Sequence, residues 1–395
     1  MKWIKTRHKI VFGLLRPAFK IFFRFKYKAK VKTIKAPKDG SVILCNHVTT
    51  LDPFLVALKF KGPVYYMASK DLFQHRFTGK LISYLVNPIP KEKSNKNDLS
   101  AIKACVKVAK ENGTICIFPE GNRTFSGKLG NVDYSIVKLV KMLKKPLIIC
   151  NIIGGYASDP RWADNSRKGK LDVVIKKTYT YDEYKDIDND ELYNIIVNSL
   201  NVDNYNLNVL YKGKKFAQSL ERVFYICPVC NKMHSISTEN DIIKCNACNL
   251  EVKLNKDMIF STNNENFKFK YIYEWYDYQI ECIKNKEYND NEIIYEDEIE
   301  MYEPILHKKK ELIGKGKMSL FKDIFKFTLE DKTMEFKFDD IAFITCVGKK
   351  KLNFYYDNKT YQVFKDEKTN LIKYMHLFYI IKNRKEGVED GFIGI

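Results

Sequence analysis

No run of about eighteen apolar residues occurs in this 395-residue chain, so no helix is expected to cross a bilayer unaided. The apolar stretches near the start are short and broken by Lys and Arg. They lack a small-residue cleavage site, so no secretory signal is read there. No internal repeat and no long low-complexity tract is visible, which excludes a solenoid or a disordered array. Acidic residues are almost missing from positions 1–40. Thirteen Lys or Arg stand there against Asp39 alone, so +12 of the chain's formal +20 lies in that stretch. A basic excess this localised points to a surface contact with an anionic partner: nucleic acid, a phospholipid surface or a polyanionic small molecule. What is present is ample apolar content, 45%, enough for packed cores, and a length that suits two or three domains.

The basic start, MKWIKTRHKIVFGLLRPAFKIFFRFKYKAK, is amphipathic when wound at about 100° per residue. Lys2, Lys5, Lys9, Arg16, Lys20 and Arg24 share one arc. Ile4, Val11, Leu15, Phe19 and Phe22 share the opposite side. Pro17 is expected to kink the helix or divide it in two. A basic face against an aromatic-rich apolar face suits a helix lying in the interface of an anionic bilayer. The alternative is a helix packed on the protein's own core with its basic face in water.

SVILC, residues 41–45, is β-branched and apolar and reads as a buried strand. Asn46 and His47 follow it. DPFLVALKF then reads as a helix start, with Asp52 as N-cap and Pro53 at the first helical position. The pair His47 and Asp52 therefore sits on a strand–turn–helix junction. A carboxylate one tight turn from an imidazole can hold one ring nitrogen and leave the other to act as a base. Taken alone, the same spacing also describes a helix cap beside a structural histidine. A second apolar strand, GTICIF, ends in the turn PEGNRTFSG. In a parallel sheet it brings Glu120 and Arg123 to the edge that carries His47. Arg123 offers a planar fork suited to a phosphate monoester, and Glu120 can accept a hydroxyl and orient Arg123. Cys45 ends a buried strand and reads as an inert thiol.

Together these two blocks, Asn46-His47-x4-Asp52 and Phe118-Pro119-Glu120-Gly121-Asn122-Arg123-Thr124, resemble the glycerolipid acyltransferases, typified by lysophosphatidic acid acyltransferase. The resemblance covers roughly residues 1–200. It implies His47 as general base, Asp52 as its orienting carboxylate, and Glu120, Gly121, Arg123 and Thr124 as acceptor-binding residues. A second block, NPIPKEKSN, has Asn87 where the family has Gly and Lys93 where it has Arg, with Lys91 beside it. Lys70, in ASKDLFQ, stands at the basic position of a further block. KKPLIICNIIGG keeps Pro146 and has Cys150 near a second proline position, which bears on the acyl groove. The implied reaction is direct attack of a lysophospholipid hydroxyl on an acyl-coenzyme A or acyl-carrier-protein thioester, with no acyl-enzyme.

Cys227, Cys230, Cys245 and Cys248 form C-x2-C, fourteen residues, C-x2-C. Two such knuckles can close a tetrahedral Zn²⁺ site, a zinc ribbon, read as structural. The other six cysteines lie mostly in apolar strings and suit a reducing compartment. From about residue 304, short alternating runs separated by turns precede a helical segment at 369–385. This pattern resembles a pleckstrin-homology or GRAM-like domain, and an ordinary small β-barrel reads from it equally well.

The expected architecture is an α/β acyltransferase domain (a mixed sheet with flanking helices), a four-cysteine zinc ribbon, and a C-terminal antiparallel β domain with a final helix. The expected boundaries are 1–30 for the membrane-binding segment, 31–205 for the acyltransferase domain and 222–262 for the ribbon. A helical, acidic connector covers 263–303 and the β domain 304–385. The expected function is acylation of lysophosphatidic acid to phosphatidic acid by a peripheral protein on the cytoplasmic face of an anionic membrane. The alternatives are another acceptor, such as glycerol 3-phosphate or a different lysolipid, and a non-enzymatic zinc-ribbon protein. Nucleic acid is not the expected partner, because the ribbon itself is not strongly basic.

Overall fold

The computed structural model describes residues 2–73, 76–91, 98–305, 310–366, 368–388 and 391–392. The chain divides into two compact units. Unit 1 holds residues 1–161 and 166–213. Unit 2 holds residues 162–165 and 214–395.

Unit 1 is built on a six-stranded sheet. Its elements in chain order are α1 (Thr6–Tyr27), β1 (Ser41–Cys45), α2 (Asp52–Lys59), β2 (Val64–Ser69), α3 (Arg76–Leu85), β3 (Ile89–Lys91), α4 (Leu99–Lys110), β4 (Thr114–Ile117), α5 (Ser135–Leu143), β5 (Leu147–Ile153), β6 (Asp172–Tyr179) and α6 (Asn189–Leu200). The strand order is β3-β2-β4-β1-β5-β6. All neighbours run parallel except β6, which pairs antiparallel with β5 at the edge. This is the expected mixed sheet with flanking helices. Buried parallel strands are apolar on both faces, which explains runs such as SVILC and LIICNII. One face presents Val42, Leu44, Ile115, Ile117, Leu147 and Ile149 to the apolar sides of α4, α5 and α6. By alternation Ile43, Cys45, Cys116 and Cys150 fall on the other face, where all are fully buried. Burial pushes the thiol pKa of each of these three cysteines up, so they are inert at neutral pH.

The helix α1 is not divided at Pro17 but runs as one helix. Phe23 and Tyr27 are buried, and the Phe19 ring packs on Phe54 of α2 with centroids 4.8 Å apart. The most exposed apolar residues are Ile10, Leu14, Ile21 and Phe25, at 56, 73, 59 and 69% exposure, and Leu15 and Phe22 of the expected apolar side are exposed as well. Spacings of 4, 11 and 15 residues put the first four on one stripe.

Unit 2 begins with a small antiparallel sheet: β7 (Ile236–Glu239), β8 (Ile242–Cys245), β9 (Glu251–Leu254) and β10 (Phe260–Ser261), in the order β10-β9-β8-β7. Helix α7 (Ile272–Lys284) packs beside it. Trp275 stacks on Phe224 with ring centroids 4.1 Å apart, and its indole N–H donates to the Ile226 carbonyl at 2.9 Å. Seven antiparallel strands follow: β11 (Tyr295–Glu303), β12 (Glu311–Leu320), β13 (Ile324–Leu329), β14 (Thr333–Lys337), β15 (Ile341–Val347), β16 (Lys351–Tyr356) and β17 (Lys359–Phe364). Their order is β14-β13-β12-β11-β17-β16-β15. The final helix α8 (Ile372–Lys385) packs on these strands through Tyr374, Phe378 and Tyr379 and is buried without a break from Ile372 to Ile381. So an antiparallel β domain with a closing helix is present, as the alternating runs implied.

His376 of α8 is fully buried. Its ring nitrogens meet the hydroxyls of Tyr225 at 3.0 Å and Tyr276 at 2.7 Å, and burial pushes its pKa down to about 3. An unfolded imidazole takes a proton near pH 6.5. The stability that comes from keeping His376 neutral is therefore complete above that pH and is lost as pH falls toward 3. The limiting slope is about 1.4 kcal/mol per pH unit. Unit 2 contains Trp162 and Trp275, so its urea midpoint can be followed by fluorescence. The midpoint should fall steadily from pH 6.5 to about 4; a flat profile contradicts this account.

Candidate active site

The site lies at the C-terminal edge of the parallel strands. Leu44 of β1 pairs with Ile117 of β4. His47 and Glu120 each stand three residues beyond that pair, so the parallel register delivers them side by side. The His47 N–H donates to Glu120 Oε1 at 2.6 Å, and the Gly130 N–H donates to Oε2 at 2.8 Å. Glu120 thus ties the two active-site turns together through their backbones and is spent on those bonds. It does not orient Arg123, as the sequence had suggested. Burial pushes its pKa up to about 8, against the lowering by its two N–H donors.

Asp52 is not the N-cap of α2; Leu51 occupies that position and Asp52 is the first helical residue. Its fully buried carboxylate turns back onto the preceding loop. Oδ2 accepts from the N–H groups of Val48 and Thr49 at 2.7 and 2.9 Å, and Oδ1 from the Thr49 hydroxyl at 2.7 Å. His47 Nδ1 lies 2.7 Å from Oδ2. An ionised carboxylate only accepts, so Nδ1 carries the hydrogen and Nε2 keeps its lone pair. The imidazole stacks on Phe118, with centroids 4.4 Å apart and planes 21° from parallel. Its side chain is 19% exposed, which leaves it a path to a reactant.

Burial lowers the His47 pKa. The bond and charge of Asp52 oppose that shift, and the charges of Arg123 and Arg161 add to it. The net direction is down, so the ring is neutral at pH 7 and able to take a proton. If His47 is the base, the acid limb of kcat/KM should have its midpoint below 6.5, with activity falling as pH drops through it. A midpoint above 6.5 contradicts this assignment.

Arg123 follows the turn at Gly121, whose φ of +68° favours glycine. Its Nη1 donates to Thr50 Oγ1 at 2.6 Å, which holds one arm of the guanidinium against the His47–Asp52 loop. Thr124 was expected to touch the acceptor. Instead it is 2% exposed, its hydroxyl accepts from the Gly127 N–H at 2.9 Å, and its own N–H donates to the His47 carbonyl at 3.1 Å. It locks the loop rather than facing a substrate. Asn46 opens the first block of the resemblance, with no role read for its side chain. Its side chain continues the β1–β5 ladder past the end of β1: Oδ1 accepts from the Ile152 N–H at 2.7 Å and Nδ2 donates to the Ile152 carbonyl at 3.3 Å.

This geometry can desolvate a base, fix its tautomer and set a cation beside it. Residues 24–153 match the family model described as Acyltransferase. The chain is an O-acyltransferase. It is similar to a 1-acyl-sn-glycerol-3-phosphate acyltransferase of Bacillus subtilis, 28% identical over 141 residues, which cover 35% of this chain and 67% of that protein. A probable 1-acyl-sn-glycerol-3-phosphate acyltransferase of Mycoplasma pneumoniae is 20% identical over 197 residues, 45% of this chain and 73% of that one. The solved 1-acyl-sn-glycerophosphate (LPA) acyltransferase PlsC of Thermotoga maritima aligns at 18% identity over 49% of this chain and 78% of its own, with a TM-score of 0.40.

The lysines of the acyltransferase are more scattered. Lys91 ends β3 on the same sheet edge as His47, but three strands away, roughly 14 Å at the usual strand spacing. Lys70 begins a helical turn at the end of β2. Lys93 lies outside the described residues. Among the described residues no helix is long and apolar enough to cross a membrane.

In unit 2 the sulfurs of Cys227, Cys230, Cys245 and Cys248 all lie within 4.8 Å of one another. The pairs Cys227–Cys248 and Cys230–Cys245 are each 3.7 Å apart. A tetrahedron with metal–sulfur bonds of about 2.3 Å has edges of about 3.8 Å, so the four residues fit a thiolate-bound metal. Each knuckle closes the same way. Asn231 and Asn249 both adopt φ of +57°, and their N–H groups donate to the Cys227 and Cys245 carbonyls at 2.9 Å.

Proposed function

We propose that this acyltransferase moves a fatty acyl group from an acyl thioester to the free hydroxyl of lysophosphatidic acid, giving phosphatidic acid. The observation that carries the reading is His47, its tautomer fixed by the Asp52 carboxylate and its ring kept neutral by burial, beside the Arg123 guanidinium. The names of the similar proteins support the same acceptor. His47 Nε2 takes the hydroxyl proton as the oxygen attacks the thioester carbonyl, and the carbon–sulfur bond then breaks. The departing thiolate takes a proton from the imidazolium, so the base is regenerated. Arg123 binds the acceptor phosphate and orients the hydroxyl, which converts an encounter into a positioned reaction. Lys91, Lys93 and Lys70 supply further positive charge for the acceptor phosphate. Asp52 holds the ring and offsets its charge once protonated.

The protein works at the surface of an anionic membrane, on its cytoplasmic face. The outward stripe of Ile10, Leu14, Ile21 and Phe25, with Lys20, Arg24 and Lys26 close by, suits insertion at the headgroup boundary. Zn²⁺ bound by the four cysteines fastens the ribbon, and the seven-stranded domain with its closing helix is pleckstrin-homology-like.

The test is transfer of labelled oleate from oleoyl-coenzyme A, and separately from oleoyl-acyl carrier protein, to lysophosphatidic acid on anionic vesicles. Glycerol 3-phosphate and lysophosphatidylcholine are run beside it. Preference for either of the latter moves the assignment to another acceptor. Replacing Leu14 and Phe25 together with serine should weaken vesicle binding about tenfold or more, since each removes a buried apolar side chain worth over 1 kcal/mol. Equal vesicle binding by the variant would dismiss α1 as the membrane contact.

A further inference from the structure

The loop between β4 and α5 carries Arg123 but has no ladder or helix to satisfy its backbone. Four of the five carbonyls from Arg123 to Gly127 are instead taken by side chains from later in the chain. Arg161 Nη1 donates to the Arg123 carbonyl at 2.7 Å, and Asn204 Nδ2 donates to the Gly127 carbonyl at 2.7 Å. The Tyr156 hydroxyl donates to the Phe125 carbonyl at 2.9 Å, and the Tyr205 hydroxyl to that of Ser126. All four donors lie beyond residue 153, outside the stretch that matches the acyltransferase family.

Arg161 differs from the other three. It is 2% exposed, and its guanidinium lies over the Phe125 ring with the carbon 4.1 Å from the centroid. A planar, delocalised cation can stack there and still donate in its plane, which an ammonium cannot. The carbonyl it holds belongs to Arg123 itself, so it fixes the backbone from which the phosphate-binding side chain leaves. The bond of Arg123 Nη1 to Thr50 then has a fixed origin.

We propose that Arg161 is a positioning residue: by clamping the Arg123 carbonyl against Phe125 it presets the Arg123 guanidinium for the phosphate of the acceptor. The proposal rests on the acceptor reading above only for the identity of the anion. It makes no direct contact between Arg161 and substrate, in keeping with its burial. Arg161→Lys keeps the charge and loses the stack and the fork, so it separates positioning from electrostatics.

Two readouts on the full chain test it. The first is hydrogen exchange at the Thr124 and Gly127 amides, which need no substrate. Arg161→Lys should speed both about tenfold or more, while amides of β13 in unit 2 keep their rates. The second is kinetics with lysophosphatidic acid and with monoacylglycerol, which lacks the phosphate. Arg161→Lys should raise KM for lysophosphatidic acid about tenfold, change kcat less than about threefold, and leave monoacylglycerol unaffected. In an Arg123→Ala background it should add nothing further, because the two act as one unit. Arg161→Gln, similar in length and neutral, serves as the second variant and should show the same exchange. Unchanged exchange in both variants overturns the proposal, as does an additive effect in the Arg123→Ala background. A wild-type protein that leaves lysophosphatidic acid untouched overturns the acceptor reading instead, and the exchange result still decides the role of Arg161.

Discussion

Replacing His47 with alanine is expected to cut acyl transfer by about 10²–10⁴-fold while leaving the fold intact, the range attributable to one positioned general base. The two halves of that statement have separate grounds. In the proposed mechanism the ring is the base, with Nδ1 tied to Asp52 and Nε2 left to receive the proton. The ring is also partly exposed, and the bond that joins the two active-site turns uses the backbone N–H of residue 47, which alanine retains. Asp52→Asn should behave differently. Asp52 accepts from two N–H groups, one hydroxyl and the imidazole inside a fully buried site. An amide turns at least one acceptor into a donor facing donors, at a cost of about 1–3 kcal/mol for each group left unpaired. Asp52→Asn should therefore lose both activity and several degrees of thermal midpoint. Labelled-oleate transfer and a melting curve on each variant check this. Wild-type turnover in His47→Ala would sink the mechanism.

Stripping metal from the four-cysteine cluster is the second change with a large expected effect. Structural thiolate–zinc sites supply about 10–16 kcal/mol of apparent binding energy in small zinc-finger peptides. The sheet around this cluster has strands of only two to four residues, so bound zinc would add a cross-link that such short ladders do not supply. A strong chelator, or Cys245→Ser, should unfold the ribbon and disturb the neighbouring indole, since Trp275 donates to the Ile226 carbonyl next to Cys227. Trp emission should shift red, and one equivalent of zinc per chain should appear in solution. The reactive pair and Arg123 all belong to unit 1, so the emission change should precede any loss of transfer. A chelated protein with unchanged emission and no released metal would remove zinc from the account.

Some of this was legible in residue order. The strand SVILC, its parallel partner TICI and the meeting of His47 with Asp52 follow from short-range rules of burial and turn geometry. The paired C-x2-C knuckles are equally local, and the four sulfurs do converge. Other readings failed for identifiable reasons. Glu120 and Arg123 are three residues apart and opposite in charge, which invited an ion pair. Two backbone N–H groups, one of them 73 residues away, take both carboxylate oxygens instead. Asp52 stands where a cap is expected, yet its oxygens serve the loop before the helix. Arg161 and Asn204 gave no signal, because a side chain that substitutes for a backbone partner can be of many types.

The residue order alone determined the chemistry on offer: an imidazole five residues from a carboxylate, a guanidinium on a strand-end turn, and four thiols in two knuckles. Each spans one turn of chain, where covalent geometry leaves few arrangements. Only the tertiary structure decided which groups those side chains meet. It turned Ile10, Leu14, Ile21 and Phe25 outward on a helix whose wheel offers more than one apolar arc, and it brought Arg161 onto the carbonyl of Arg123. Contacts between residues tens of positions apart are selected by the packing of whole elements, and no local spacing encodes that choice.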